Sequence, residues 1–211
     1  FQATVPDLYF ALQKGLIAMM VDHGWKKYLV GVEHPRKEIR ELHGKPSYPG
    51  GPKDVAKLLH DLNIKGLEGS VVLMIGLPGE NRQSLRHLVD FALEISNDVD
   101  IYVCFATPHP GTGLSKGMHV FPVGYEWYNH KFPVAVPPSL VAEVGGPITA
   151  AKYLNDIYTR IVELTGTYQF NPLIPEAYFE TLEASLNSLP SMIPNPNCGL
   201  QCNSCGLGFF G

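Results

Sequence analysis

The chain has 211 residues, of which 45% are hydrophobic and 17% are charged, as in a globular protein with one domain or one domain and a small appendage. The formal net charge of −4 provides no basic field for nucleic acid or anionic lipid. No segment approaches the roughly 18 apolar residues of a membrane-spanning helix. The four cysteines are too few for a disulfide framework, so we expect a reducing, cytoplasmic location.

In chain order, the apolar pattern first predicts helices that alternate with short strands. Apolar residues spaced three or four apart indicate the helices, and short β-rich apolar runs indicate strands covered on both faces. Strands that are joined by helices pair in parallel, so the predicted class is α/β. Three strands cannot close a barrel, so the sheet is either completed by absent strands or small and open. The predicted elements are helix 7–23, strand 27–33, helix 35–43, helix 53–63, strand 69–76, helix 82–97 and strand 100–107.

The pattern changes after residue 113. Residues 114–146 hold several Pro, Gly and aromatic residues without a clear period, and they predict a long irregular region. A helical pattern returns over residues 148–165 and 175–189. We therefore expect three parts, namely residues 1–116 with the strands, an irregular and helical extension over 117–189, and a cysteine-rich tail over 190–211.

The tail carries Cys198, Cys202 and Cys205, separated by Gly, Asn and other flexible residues. Three thiolates this close together can surround one metal centre, and cysteine is the usual ligand of iron–sulfur clusters and structural zinc. Three cysteines leave one iron of a four-iron cluster open, whereas zinc needs a fourth ligand that the tail does not contain. The spacing favours a cluster, with zinc or unligated thiols as the alternatives.

Polar or backbone-exposing residues follow three successive predicted strands. Glu33 ends one strand, the turn Gly76–Gly79 follows the next, and the Pro- and Gly-rich segment 106–114 follows the third. Functional groups of parallel sheets lie at this end of the strands, and glycine lets a ligand approach the backbone. Glu80 lies where its charge suits the dipole of the next helix. The loops together predict a pocket, although such a turn is equally consistent with a structural role.

The segments GVEHPRKEIRELHGK, IGLPGENRQSLRHLVDFALEI and ATPHPGTGL resemble, in this order, the fourth, fifth and sixth strands of radical S-adenosylmethionine (radical SAM) enzymes. They are most similar to the subgroup often found beside a cobalamin-binding domain, and the resemblance covers about residues 16–116. It implies the second half of the catalytic barrel, a [4Fe–4S] cluster, SAM and, in this subgroup, cobalamin. Reductive cleavage of SAM would yield a 5′-deoxyadenosyl radical for methyl transfer or another C–H functionalisation of an unknown substrate.

The resemblance also implies where SAM would lie. Glu33 would be near the bound SAM, the fifth-strand residues would flank its adenine, and the sixth-strand residues would also contact the adenine. The resemblance identifies no catalytic side chain. The implied SAM-binding residues are Glu33, Met74, Ile75, Gly76, Thr107 and Pro108.

The family's cluster loop, with cysteines at +4 and +7 from the first, follows the first strand of the barrel. This chain has no cysteine before Cys104, yet Cys198, Cys202 and Cys205 repeat that spacing. The tail would therefore bind an auxiliary cluster, bind the catalytic cluster in a permuted arrangement, or bind zinc. We expect the first, with the N-terminal half of the barrel in a missing segment or a partner subunit, because the chain also lacks an initial Met.

The alternative function is a non-catalytic half-barrel module, in which a zinc- or cluster-stabilised tail contacts another subunit.

The fourth cysteine, Cys104, alternates with Tyr102 and Ala106 along one strand. We expect it to be a buried core thiol rather than a ligand.

Overall fold

A computed structural model describes residues 1–45, 48, 50–107, 118–127, 130–166, 179, 180 and 184. For residues 119–127 and 130–134 it describes the backbone only. The chain divides into two compact units, Phe1–Pro175 and Glu176–Gly211. The elements below belong to the first unit.

The first unit contains a four-stranded parallel sheet with the order β1-β2-β3-β4. Its strands are β1 (Gln2–Ala3), β2 (Lys27–Glu33), β3 (Glu68–Ile75) and β4 (Val99–Phe105). The predicted α/β class with parallel pairing is confirmed, and β2, β3 and β4 are the three predicted strands. Strand β1 was not predicted, because two residues are too few to show a period of alternation.

Five helices precede or separate these strands. The predicted helix over 7–23 is in fact two helices, because Gly15 has φ of 68° and interrupts the i to i−4 hydrogen bonding. Thr4 begins the first of them, since its backbone N and its Oγ1 both donate to Asp7 Oδ2, at 3.0 and 2.6 Å. The helices are α1 (Val5–Gln13), α2 (Leu16–Asp22), α3 (Lys37–Leu42), α4 (Pro52–Ile64) and α5 (Arg82–Ile95).

The two faces of the sheet differ in burial. In β2 the side chains of Tyr28, Val30 and Val32 are buried, whereas Leu29 and Glu33 are partly exposed. The same alternation continues in β3 and β4. The prediction that both faces are covered is therefore wrong for the described residues. One face packs on the helices, and the other, which we call the open face, is accessible.

The segment predicted to be irregular contains a hairpin and a helix. Strands β5 (His119–Trp127) and β6 (His130–Val136) pair antiparallel, and α6 (Pro138–Val144) follows. Proline hid this pattern, because it is rare in central strands but is tolerated in a two-stranded ribbon, where both strands are edges. Helix α7 (Pro147–Thr165) confirms the helix predicted over 148–165. Most of the helix predicted over 175–189 lies outside the described residues.

Candidate functional site

Glu33 ends β2 in an uncommon backbone conformation. Its φ is 62°, in the left-handed region, which costs a residue with a Cβ roughly 1–2 kcal/mol. The pairing register with β3 shifts between Gly31 and Glu33, and the next amide, that of His34, donates to the Val32 carbonyl at 2.7 Å. The chain thus turns sharply at the carboxyl end of β2. Such strain is found most often where residues hold ligands.

The Glu33 carboxylate lies over the open face and is held there by Lys45. Glu33 Oε1 is 2.9 Å from Lys45 Nζ, and the Glu33 side chain is 13% exposed. A Cβ added to Gly31 would come within 2.7 Å of the same Oε1, so the absence of a side chain at Gly31 leaves room for the carboxylate. Both acidic and basic groups line the adjoining cavity of about 310 Å³, which includes Gly31, Glu33, Arg40, Lys45 and Tyr48.

Met74 and Cys104 lie on the open face near the carboxyl ends of β3 and β4. Their Cα atoms are register partners, and both residues are partly exposed. Burial, and to a smaller extent the charge of Glu33, raise the pKa of the Cys104 thiol to about 11, so the thiol is neutral. Cys104 is therefore not the core thiol that was expected, because the alternation of β4 directs it to the open face.

The turn Gly76–Gly79 after β3 packs tightly against other parts of the chain. Gly76 and Gly79 have φ of 84° and 82°. A Cβ on Gly76 would lie 2.7 Å from the carbonyl oxygen of Ala135, and one on Gly79 would lie 2.5 Å from Leu42 Cδ1. What approaches the backbone at these glycines is the hairpin and α3. The buried Ile75 also uses its carbonyl within the protein, accepting from the Ala106 amide at 2.7 Å.

Glu80 has a different role from the helix-dipole partner that was expected. Its side chain is fully buried and turns back, so that Oε2 accepts from the Gly76 amide at 2.8 Å. Burial raises the pKa of this carboxyl to about 8. The cap of α5 is Asn81 instead, whose Oδ1 accepts from the Ser84 amide at 2.9 Å. Glu80 therefore fixes the turn and not the helix start.

Arg40 closes the loop after β2, and the sequence analysis did not identify it. Its Nη1 donates to the carbonyl oxygens of His34 and Pro35 at 2.8 and 2.7 Å. Its guanidinium lies 3.8 Å from the centre of the Tyr48 ring, a cation–π contact. Arginine is rarely buried, so a helical pattern alone gives no reason to place Arg40 inside.

His34 was also missed, although it directly follows Glu33. It is fully buried, and its Nδ1 accepts from the Arg36 amide at 3.0 Å. Burial, followed by the charges of Arg40 and Arg36, lowers the pKa of His34 to about 3, against a weak opposing contact with the Ser84 backbone. The imidazole is therefore neutral, and because Nδ1 is an acceptor, Nε2 carries the hydrogen.

The structure describes one of the remaining predicted site residues, Thr107, and does not describe the others. Thr107 is buried just beyond β4, and its Oγ1 donates to the Phe105 carbonyl at 3.3 Å. Pro108 and the three tail cysteines lie outside the described residues. Within the described part of the chain, no group of three His, Cys, Asp or Glu residues could hold a metal ion. In that part, no helix has the length and apolar character needed to cross a membrane.

Residues 3–92 match the model of the Radical SAM superfamily. No curated protein matches the chain. Elp3 of the archaeon Methanocaldococcus infernus, solved with an N-terminal deletion, is 22% identical with a TM-score of 0.40, covering 54% of this chain and 25% of Elp3.

Two structures of the radical SAM methyltransferase TsrM from Kitasatospora setae are also similar. The structure with tryptophan substrate and aza-SAM is 13% identical with a TM-score of 0.48, covering 70% of this chain and 32% of TsrM. The structure with cobalamin and a [4Fe–4S] cluster is 12% identical with a TM-score of 0.47, covering 83% and 39%. This chain thus spans well under half of each matched structure. Residues 3–92, which make up less than half of the chain, are thus similar to the radical SAM superfamily.

Proposed function

We propose that this chain is part of a radical SAM enzyme that functionalises C–H bonds, and that the open face of its sheet binds SAM. The observation that carries the proposal is the Glu33 carboxylate, held at the carboxyl end of β2 by Lys45 at 2.9 Å. Methyl transfer is the reaction we expect, in a cytoplasmic, reducing setting that suits free thiols.

The described residues fit SAM in chemistry. Glu33 offers acceptor oxygens for the two ribose hydroxyls, and the partly exposed Met74, which packs against Ile39, Leu77 and Ala106, offers an apolar contact for adenine. Bound SAM supplies the radical chemistry of the superfamily. The residues of this chain would hold and orient it, with Glu33 kept in place by Lys45 and the neighbouring turn kept in shape by Glu80.

Gly31→Ala should weaken SAM binding without a matching loss of stability. The new Cβ would come within 2.7 Å of Glu33 Oε1, and this atom can move because it is at the end of a flexible side chain. We expect the free energy of unfolding to fall by less than about 1 kcal/mol and the Kd for SAM to rise about tenfold, as for one lost charge-assisted hydrogen bond. Calorimetric titration with SAM and urea unfolding measure the two effects.

The matched control is Gly51→Ala, because no atom lies within 4 Å of a Cβ built there. This variant should bind SAM as the wild type does. Unchanged SAM affinity in Gly31→Ala would contradict the assignment of Glu33.

For the tail, we propose an auxiliary [4Fe–4S] cluster bound by Cys198, Cys202 and Cys205. Anaerobic reconstitution of the chain with iron and sulfide should give a four-iron electron paramagnetic resonance signal after reduction. Cys202→Ser should abolish this signal, and Cys104→Ser should retain it, because the proposed cluster is bound by the three tail cysteines alone. A signal whose shape does not change when SAM is added supports an auxiliary cluster.

Two other outcomes would change the proposal for the tail. A signal whose shape changes on addition of SAM would mean that the tail holds the catalytic cluster in a permuted arrangement. Zinc binding without a cluster would favour the alternative module, in which the half-barrel contacts another subunit and performs no chemistry.

The complete enzyme is also part of the proposal. This chain covers at most 39% of the matched structures, so we propose that a further segment or a partner subunit supplies the first half of the barrel. One TsrM structure contains cobalamin and a [4Fe–4S] cluster, which is why we include cobalamin among the cofactors to test.

A further inference from the structure

His34 and Glu80 bring two buried polar atoms together between the loops that flank the site. His34 Nε2 lies 3.9 Å from Glu80 Oε1, and both side chains are fully buried. Neither atom makes a hydrogen bond of normal geometry, although the Ser84 backbone lies near the His34 ring and the Leu77 backbone lies near the Glu80 carboxyl group. Buried donors and acceptors are nearly always paired, so this arrangement requires an explanation.

The two atoms are complementary as donor and acceptor. His34 Nδ1 accepts from the Arg36 amide, so Nε2 carries the hydrogen that faces Glu80. Glu80 Oε2 accepts from the Gly76 amide, and Oε1 keeps a lone pair in either protonation state. Closing the gap by about 1 Å would bring the pair to the usual hydrogen-bond distance.

The His34–Glu80 pair connects the loop after β2 with the turn after β3, and these two segments have different roles. His34 directly follows Glu33, whereas Glu80 holds the Gly76 amide at the end of β3. The loops also pack together through α3, since Leu42 fills the space beside Gly79. A displacement of one loop is therefore transmitted to the other, as expected for tightly packed elements.

We propose that His34 is a positioning residue, which fixes the Gly76–Gly79 turn relative to the Glu33 carboxylate by donating a hydrogen bond to Glu80. The inference rests on the proposed function, because Glu33 is the group to which we assign SAM. His34 acts through Glu80 and does not itself touch the ligand.

Hydrogen exchange of the turn amides in the full chain tests this role without any ligand. His34→Ala should speed exchange of the Gly76 amide about tenfold, because Glu80 loses its neighbour and the turn opens more often. His34→Gln should stay within about threefold of the wild type, since its amide oxygen can accept from Arg36 and its amide nitrogen can donate to Glu80. The control is His23→Ala, an exposed histidine at the end of α2, which should leave exchange unchanged.

Wild-type exchange in His34→Ala would overturn the inference, as would equal acceleration in His34→Ala and His34→Gln, which would indicate a packing role alone. SAM titration of the same variants separates the two proposals. If the wild type fails to bind SAM, the proposed function fails, and the exchange rates still decide the role of His34. If the wild type binds, His34→Ala should raise the Kd about tenfold and His34→Gln should restore it.

Discussion

Gly76→Ala should lower the free energy of unfolding by about 3–4 kcal/mol, the largest effect we expect from a single methyl group in this chain. Two costs add. The backbone at Gly76 has φ of 84°, which is unfavourable for any residue with a Cβ. The added Cβ would also lie 2.7 Å from the Ala135 carbonyl oxygen, a backbone atom of the hairpin that cannot move aside independently. Urea unfolding at neutral pH measures the loss.

Gly15→Ala is the matched control, because it separates the two costs. Gly15 has a similar φ of 68°, but no atom lies within 4 Å of a Cβ built there. We expect this variant to lose only the conformational term, about 1 kcal/mol. Equal losses in the two variants would mean that the contact between the turn and the hairpin contributes nothing.

Gly15 also shows how far the fold could be predicted from the sequence. Apolar spacing over residues 7–23 predicted a helix, and the spacing continues through Gly15 because α1 and α2 both bury apolar residues. The spacing of apolar residues reflects which positions are buried, and it does not reveal a single residue in the left-handed conformation between two helices. The positions of β2, β3 and β4 were predicted correctly because these strands are rich in apolar residues, although only alternate residues are buried.

The hairpin of β5 and β6 was not predicted, because these strands are specified by their pairing with each other more than by the pattern of their own residues. Phe121 and Tyr125 flank a shift in register between β5 and β6, so the alternation of the two strands changes phase. A β-strand in such a ribbon is specified by its partner across the turn. Only short alternating windows remain, over residues 123–127 and 132–136, and the prediction did not recognise them among the Pro and Gly residues of this segment.

For the site, the sequence predicted which loops meet but not how they are held. Glu33 and the turn after β3 were expected at the same edge of the sheet, and the parallel topology brings them there. The groups that hold them are the buried Arg40 and Glu80, residue types that are normally exposed. Their burial depends on contacts between distant segments, which composition and period do not record.

Glu80→Gln should remove a loss of stability that the wild type shows between pH 6.5 and pH 8. Burial raises the pKa of Glu80 from its ordinary 4.5 to about 8 in the folded protein. The folded state therefore holds this proton more tightly than the unfolded state does. Its stabilising contribution is present below pH 4.5 and is lost as the pH rises through 8, a total on the order of 5 kcal/mol.

His34 has the opposite effect at lower pH. Burial lowers the pKa of His34 from 6.5 to about 3. Between these two pH values, the unfolded state binds a proton that the folded state does not bind. Its contribution is present above pH 6.5 and is lost as the pH falls toward 3. Between pH 4.5 and pH 6.5 the two slopes nearly cancel, and above pH 6.5 Glu80 acts without His34.

Urea unfolding at a series of pH values distinguishes the two groups. The wild type should have nearly constant stability from pH 4.5 to 6.5 and then lose about 2 kcal/mol by pH 8. Glu80→Gln should show no loss above pH 6.5, and its stability should rise with pH below that value, because burial lowers the pKa of both His34 and His43. His34→Gln should lose stability from pH 4.5 to 8, because Glu80 then gives the larger slope and His43 opposes it only below pH 6.5. If Glu80→Gln keeps the wild-type slope above pH 6.5, the buried carboxyl is not the group that titrates there, and the turn after β3 is held by an ionised Glu80 at neutral pH.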